Sequence, residues 1–164
     1  MAGNESYRIV VGVDGSEQSR AAMDWAVEEA KARGGEVLVL TAWHFPYVTD
    51  ALGQAWDYEV FQTDAQSILD EELARVRDRG VQINGRIVQG SAAAVLVDAS
   101  RDADVVAVGS RGHGGFTGLL LGSVSTQAVH HAHCPVLVFR KATADQPARP
   151  RGGQLALGHA GRCS

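Results

Sequence analysis

The stretch DVVAVGSRGHGGFTGLLLGSVS, residues 104–125, decides the architecture. It opens on a short apolar run, Asp104 to Val108, which leaves directly into Gly109-Ser110-Arg111-Gly112. Nine residues later it reaches Gly122-Ser123-Val124-Ser125, where helical spacing begins: Val124, Ala128, Val129 and Ala132 fall on one face before Pro135 stops the pattern. A strand, a glycine-rich turn and a helix in that order form the repeating step of an α/β fold.

Working outward, the same step recurs. Tyr7 to Val13, Glu36 to Ala42 and Pro135 to Arg140 are near-continuous runs of Val, Ile and Leu, as expected of strands covered on both faces. Ile83 to Gln89 alternates in polarity, as an edge strand does. Between them, Ala22, Met23, Ala26, Val27 and Ala30 predict a helix over residues 17–33, ended by Gly34-Gly35. Ala65, Ile68, Leu69, Leu73 and Val76 predict another over roughly 57–79, and Ala92, Val95, Leu96 and Ala99 a third with Ser91 as its N-cap. The order βαβαβαβαβ predicts an α/β fold: a single doubly wound, five-stranded parallel sheet with helices on both faces.

Composition agrees with one domain. The chain has 164 residues, 45% hydrophobic and 21% charged, with a net charge of −4, enough apolar material for a core and too much for a disordered chain. No apolar run approaches the ~20 residues of a membrane span, and the start MAGNESYR does not read as a signal peptide. With only Cys134 and Cys163, a disulfide scaffold is excluded, and a cytoplasmic location is expected. Residues 1–140 carry 11 basic and 18 acidic side chains, whereas 141–164 carry 4 basic and 1 acidic. An acidic body lacks the basic footprint of a nucleic-acid binder. Two stretches stand apart: an aromatic-rich loop with Trp43, Phe45, Tyr47 and Trp56, read as a packing patch or dimer cover, and residues 142–164, read as a disordered tail after a domain over 5–141.

In an open parallel sheet, ligands bind beyond the carboxyl ends of the strands where the strand order reverses. Gly109 and Gly112 are expected to turn off their strand at φ values closed to other residues and to bring backbone N–H groups near a ligand. The free amides of Ser123, Val124 and Ser125 at a helix start favour an anion. The hydroxyls of Ser123 and Ser125, with Arg111 and His113, add donors or positive charge. The sum is a phosphate cradle. Asp14, at the exit of the first strand, suits ribose hydroxyls or a base amino edge, unless it caps the first helix instead. Ala42 leaves room for a flat base.

Gly109-x-x-Gly112, nine residues, then Gly122-Ser123, together with Val11-Gly12-Val13-Asp14-Gly15-Ser16 and Cys134-Pro135-Val136-Leu137-Val138, resembles the ATP-binding branch of the universal stress protein family. The resemblance spans about residues 5–141. It implies strand order 3-2-1-4-5, ATP between strands one and four, Mg²⁺ if any arriving with the phosphates, and a homodimer through the last strand. Carried over residue by residue, it sets Gly12, Val13, Asp14 and Ala42 on the adenosine, and Gly109, Arg111, Gly112, Gly122, Ser123, Val124 and Ser125 on the phosphates. At the sheet edge where that strand order puts it, the apolar run Val136, Leu137, Val138 and Phe139 also favours pairing with a second copy. The family's role, stress survival through signalling, makes a regulatory ATP-binding protein the expected function.

Other readings stand beside these. Ser123 could simply cap its helix. His130, His133 and Cys134 share a helical face and invite a metal, but no second ligand pair has zinc-site spacing; Cys134 reads better as a small apolar residue. Val108-Gly109-Ser110-Arg111-Gly112 nearly matches a hydrolase elbow, with Val108 in the first glycine's place. No P-loop lysine sits beside the cradle and no paired carboxylates are evident, so no catalytic residue is assigned. Slow ATP hydrolysis or autophosphorylation stays open, because Thr117, Ser123 and Ser125 would lie near a γ-phosphate. A nucleotide-independent dimeric interaction protein is the third reading.

Overall fold

The computed structural model describes residues 6–44, 58–112 and 121–140. Five strands form one sheet: β1 (Arg8–Gly12), β2 (Glu36–Trp43), β3 (Gln82–Gln89), β4 (Val105–Gly109) and β5 (Val136–Phe139). Helices α1 (Glu17–Arg33), α2 (Tyr58–Val76), α3 (Ala92–Ala99) and α4 (Ser123–His131) alternate with them. All pairings are parallel and the order is β3-β2-β1-β4-β5, as the resemblance implies. The loop aromatics Phe45, Tyr47 and Trp56, the sequence-predicted site residue His113, Thr117, Cys163 and the whole of 142–164 lie outside the described residues.

The period of two in each strand divides the core into two layers. Ile9 and Val11 of β1, Val37 and Val39 of β2, and Val105 and Ala107 of β4 face one side, where Met23, Ala26 and Val27 of α1 and Leu69 and Val76 of α2 cover them. Val10, Leu40, Val106 and Val108 face the other, against Leu96 of α3 and Val124 of α4. Burying both faces of β1 and β4 explains why those strands read as unbroken apolar runs. β3 lies at one edge, so its alternation survives; the α2 side is nevertheless close, since a Cβ at Gly85 would fall within 3.0 Å of Leu69 Cδ1.

The helix ends follow local chemistry. Ser16 caps α1, its hydroxyl accepting from Ser19 N at 3.2 Å. Gly34 ends it at φ 64°, and Gly35 N donates to Ala30 O at 2.8 Å. α2 stops at Val76, three residues short of the expected boundary, where Arg79 N turns back to Val76 O. Among the described residues no helix is long and apolar enough to cross a membrane.

Candidate functional site

The strand order reverses at β1, whose neighbours are β2 and β4, so the exits of β1 and β4 flank an opening at the carboxyl edge. The β1 exit is a tight hydrogen-bonded turn. Val13 N donates to Leu40 O at 3.0 Å, extending the ladder by one residue. Asp14 Oδ1 then accepts from Ser16 N at 3.0 Å, across Gly15 at φ 78°. The buried Ser19 hydroxyl donates to Ser16 O at 3.0 Å and accepts from Asp14 N at 3.4 Å. Asp14 is thus oriented by the turn, and the helix cap is Ser16, not Asp14.

The β4 exit is closed by its own carbonyl. Ser110 O accepts from Gly122 N at 2.7 Å and from the Ser125 hydroxyl at 3.0 Å, which also reaches Gly122 O at 3.1 Å. These bonds bring the start of α4 back to the end of β4. They also revise three expectations. Gly122, not Ser123, is the N-cap residue, and its amide points inward. The Ser125 hydroxyl is buried and committed to the backbone, so this residue offers its amide alone. And neither Gly109 nor Gly112 has positive φ.

Glycine is needed there for closeness instead. A Cβ at Gly109 would lie 3.0 Å from both Gln18 Cβ and Ser19 N, where the first turn of α1 crosses the end of β4. A Cβ at Gly112 would run into the Asp14 carboxylate. The two strand exits therefore touch, carboxylate against glycine backbone. Beyond them opens a small crevice of about 110 Å³. Gly12, Val13, Asp14, Ala42, Gly109, Arg111, Gly112 and Val124 line it. Ser123 is exposed at the first position of α4, with no side-chain cap bond in that turn. By helix geometry, the amides of Ser123, Val124 and Ser125 have no intrahelical carbonyl to meet.

The apolar wall was not foreseen. Val95 and Leu96 of α3, with Ala92 and the β2 residue Leu40, line the crevice beside Gly12 and Val108, Leu96 packing directly on Gly12. The signal was available in Gly90-Ser91, a third strand exit at the same edge: Gly90 has φ 146° and donates to Trp43 O at 2.7 Å. Ser91 stands at the N-cap position of α3 but makes no side-chain cap bond. Ser110, the residue of the near-elbow, is buried and does not line the crevice.

The histidines separate. α4 ends at His131, so His133 and Cys134 leave the helical face that His130 occupies. His133 N instead donates to Ser100 Oγ at 2.9 Å, tying the turn to the end of α3. Cys134 is half-buried among the α3–α4 side of the core, and burial, with the Asp104 charge, pushes its thiol pKa up. Among the described residues no group of three His, Cys, Asp or Glu could hold a metal ion.

A doubly wound sheet with a crevice at its switch point, where the Asp14 carboxylate meets Gly112, defines an α/β protein with a candidate ligand site at the carboxyl edge of its strands. The universal stress protein family matches residues 6–140. The chain belongs to that family. It is 39% identical over 135 residues to universal stress protein Rv2005c of Mycobacterium tuberculosis, covering 81% of this chain and 45% of that protein. Universal stress protein Rv1996 of the same organism is 34% identical over 169 residues, covering 92% and 52%. The chain thus spans about half the length of these relatives. Among solved structures, a universal stress protein in complex with cAMP is 26% identical, with a TM-score of 0.63 over 82% of this chain and 97% of that one. Hypothetical protein MJ0577 shares the fold, with a TM-score of 0.71 at 20% identity over 85% and 99%.

Proposed function

We propose that the protein binds ATP at the β1–β4 crevice and acts as a regulatory, stress-survival member of its family in the cytoplasm, holding the nucleotide rather than turning it over. The observation that carries this reading is the joining of the two exits. The α4 amides and Arg111 offer an anion its donors, and Asp14, the one carboxylate among the described lining residues, stands at the β1 exit near Ala42 and the Val95–Leu96 wall. A phosphate chain along the first group and a nucleoside along the second satisfies both signs of charge. The solved relative with cAMP supports an adenine nucleotide. The phosphate end is also where Mg²⁺ would enter, carried by the ligand. Holding is favoured over hydrolysis because the described residues of the lining include no lysine and their carboxylate is already bonded to Ser16 N.

The test is to denature freshly purified protein, identify the released nucleotide by mass spectrometry, and follow γ-phosphate-labelled ATP over hours. Bound ATP without phosphate release is expected, with ATP at about 100 times its Kd raising Tm by roughly 5–10 °C. ADP accumulating in proportion to protein, and lost in Gly109→Ala, would establish the enzyme instead. No bound nucleotide and no ATP-dependent rise in Tm would leave the nucleotide-independent interaction protein.

A homodimer through β5 is part of the proposal. β5 is an edge strand, and Leu137 on it and Val129 on α4 are large apolar side chains left 39% and 49% exposed. Phe139 contributes less than expected, because its ring packs on Trp25 of the same chain at 5.8 Å. Covering that edge removes an aggregation template. Sedimentation is expected to give a dimer at micromolar concentration and a monomer for Leu137→Lys; a monomeric parent protein refutes the pairing.

A further inference from the structure

We infer that Glu72 of α2, which does not line the crevice, is a positioning residue for nucleotide binding, acting through Arg20 and the first turn of α1. The inference rests on the nucleotide reading above. Glu72 is 1% exposed, on the same face of α2 as Leu69 and Val76. A carboxylate there is expensive to bury unless it is paired and hydrogen-bonded, and an apolar side chain would pack the core equally well. Glu72 is fully engaged. Oε1 accepts from Arg20 Nε at 2.7 Å, and Oε2 from Arg75 Nε and Nη2 at 3.1 and 3.0 Å.

Arg20 sits where a small movement has the largest effect. Its amide donates to Ser16 O at 3.0 Å, so it closes the first turn of α1. The preceding residue, Ser19, holds Asp14 N at one wall of the crevice, and its own amide abuts Gly109 at the other. One turn of helix therefore spaces the two strand exits, and Glu72 is its anchor from behind. A second set of ion pairs lies one turn further from the crevice: Asp24 pairs with Arg75 of α2 at 2.6 Å and, just past the end of that helix, with Arg79 at 3.3 Å. Arg75 is shared, since it also donates to Glu72 Oε2 and, at 3.4 Å, to Arg20 O. Among the described residues the Asp24 carboxylate itself pairs only with Arg75 and Arg79, so removing its charge leaves the Arg20–Glu72 bond in place and separates positioning from general helix packing.

The experiment is calorimetric titration of ATP into the full chain, for the parent protein, Glu72→Gln, Arg20→Met, their double variant and Asp24→Asn, at a temperature where each is folded. Glu72→Gln and Arg20→Met should each weaken ATP binding on the order of tenfold, with the double variant no weaker than the worse single one. Asp24→Asn should lower Tm and leave Kd unchanged. The Arg20 side chain is 47% exposed, so Arg20→Met decides the matter against Asp24→Asn even if Glu72→Gln does not fold. Unchanged Kd in Glu72→Gln and Arg20→Met with a lowered Tm overturns the positioning role, as does an equal loss of affinity in Asp24→Asn. A parent protein that binds no ATP overturns the nucleotide reading, and this inference with it.

Discussion

Gly109→Ala tests the contact on which the site is built. Gly109 is the last residue of β4 and lacks positive φ, so alanine is conformationally allowed and the penalty is one of space alone. The new Cβ would stand 3.0 Å from Gln18 Cβ and Ser19 N and 3.2 Å from Gln18 C. Ordinary contacts begin near 3.4 Å, so the shortfall is about 0.4 Å against main-chain atoms that cannot rotate away. α1 cannot retreat easily either, because Met23, Ala26 and Val27 are fully buried under it. Overpacking of this kind costs about 1–3 kcal/mol, which corresponds to a fall in Tm of roughly 3–10 °C. Urea titration and calorimetry measure it, with Gly34→Ala as the contrast: nothing lies within 4 Å there, and only its φ of +64° opposes a side chain, at about 1 kcal/mol. ATP affinity should fall together with stability in Gly109→Ala and not in Gly34→Ala. A Gly109→Ala protein within about 0.5 kcal/mol of the parent, binding ATP normally, would refute the close approach of α1 and β4.

Three further outcomes follow from the same geometry. Gly112→Ala should leave Tm nearly unchanged, because the Asp14 carboxylate it strikes is a side-chain end that can swing aside, but titration should show weakened ATP binding. Ser16→Ala removes the α1 cap and should lower stability by about 1 kcal/mol in urea unfolding, since Ser19 N loses its partner. In a Cys163→Ser background, Cys134 should resist iodoacetamide at neutral pH, because burial raises its thiol pKa. Its linkage has a definite sign. The folded state keeps the proton longer than the unfolded chain does, so this contribution is complete below the ordinary thiol range and is lost as pH rises from that range through the raised folded value. A reaction rate equal to that of a free thiol peptide contradicts the burial.

Much of the fold is legible in one dimension because it rests on local rules. The apolar runs of β1 and β4, the period-two pattern of β3, the Gly34-Gly35 stop and the Pro135 boundary each mark an element with no knowledge of its neighbours. The site is legible in part for the same reason: strand exits in an α/β order point to one edge, so Asp14 and Gly109 could be named before either was placed. What failed was each assignment that depends on contact. Gly109 and Gly112 read as residues chosen for φ, and the structure shows them chosen for proximity to Ser19 and Asp14. The Ser125 hydroxyl read as a ligand donor, whereas a carbonyl fifteen residues earlier claims it.

The sequence by itself determined the order of strands and helices along the chain and the edge at which a ligand would lie, because propensity and periodicity act over a few residues. Only the tertiary structure decided which donors remain for a ligand, which wall of α3 completes the crevice, and that a buried Glu72 stands behind the first turn of α1. Those depend on atoms from distant positions meeting within about 3 Å, and hydrogen-bond capacity, once spent on a partner brought in by the fold, is no longer available to a ligand.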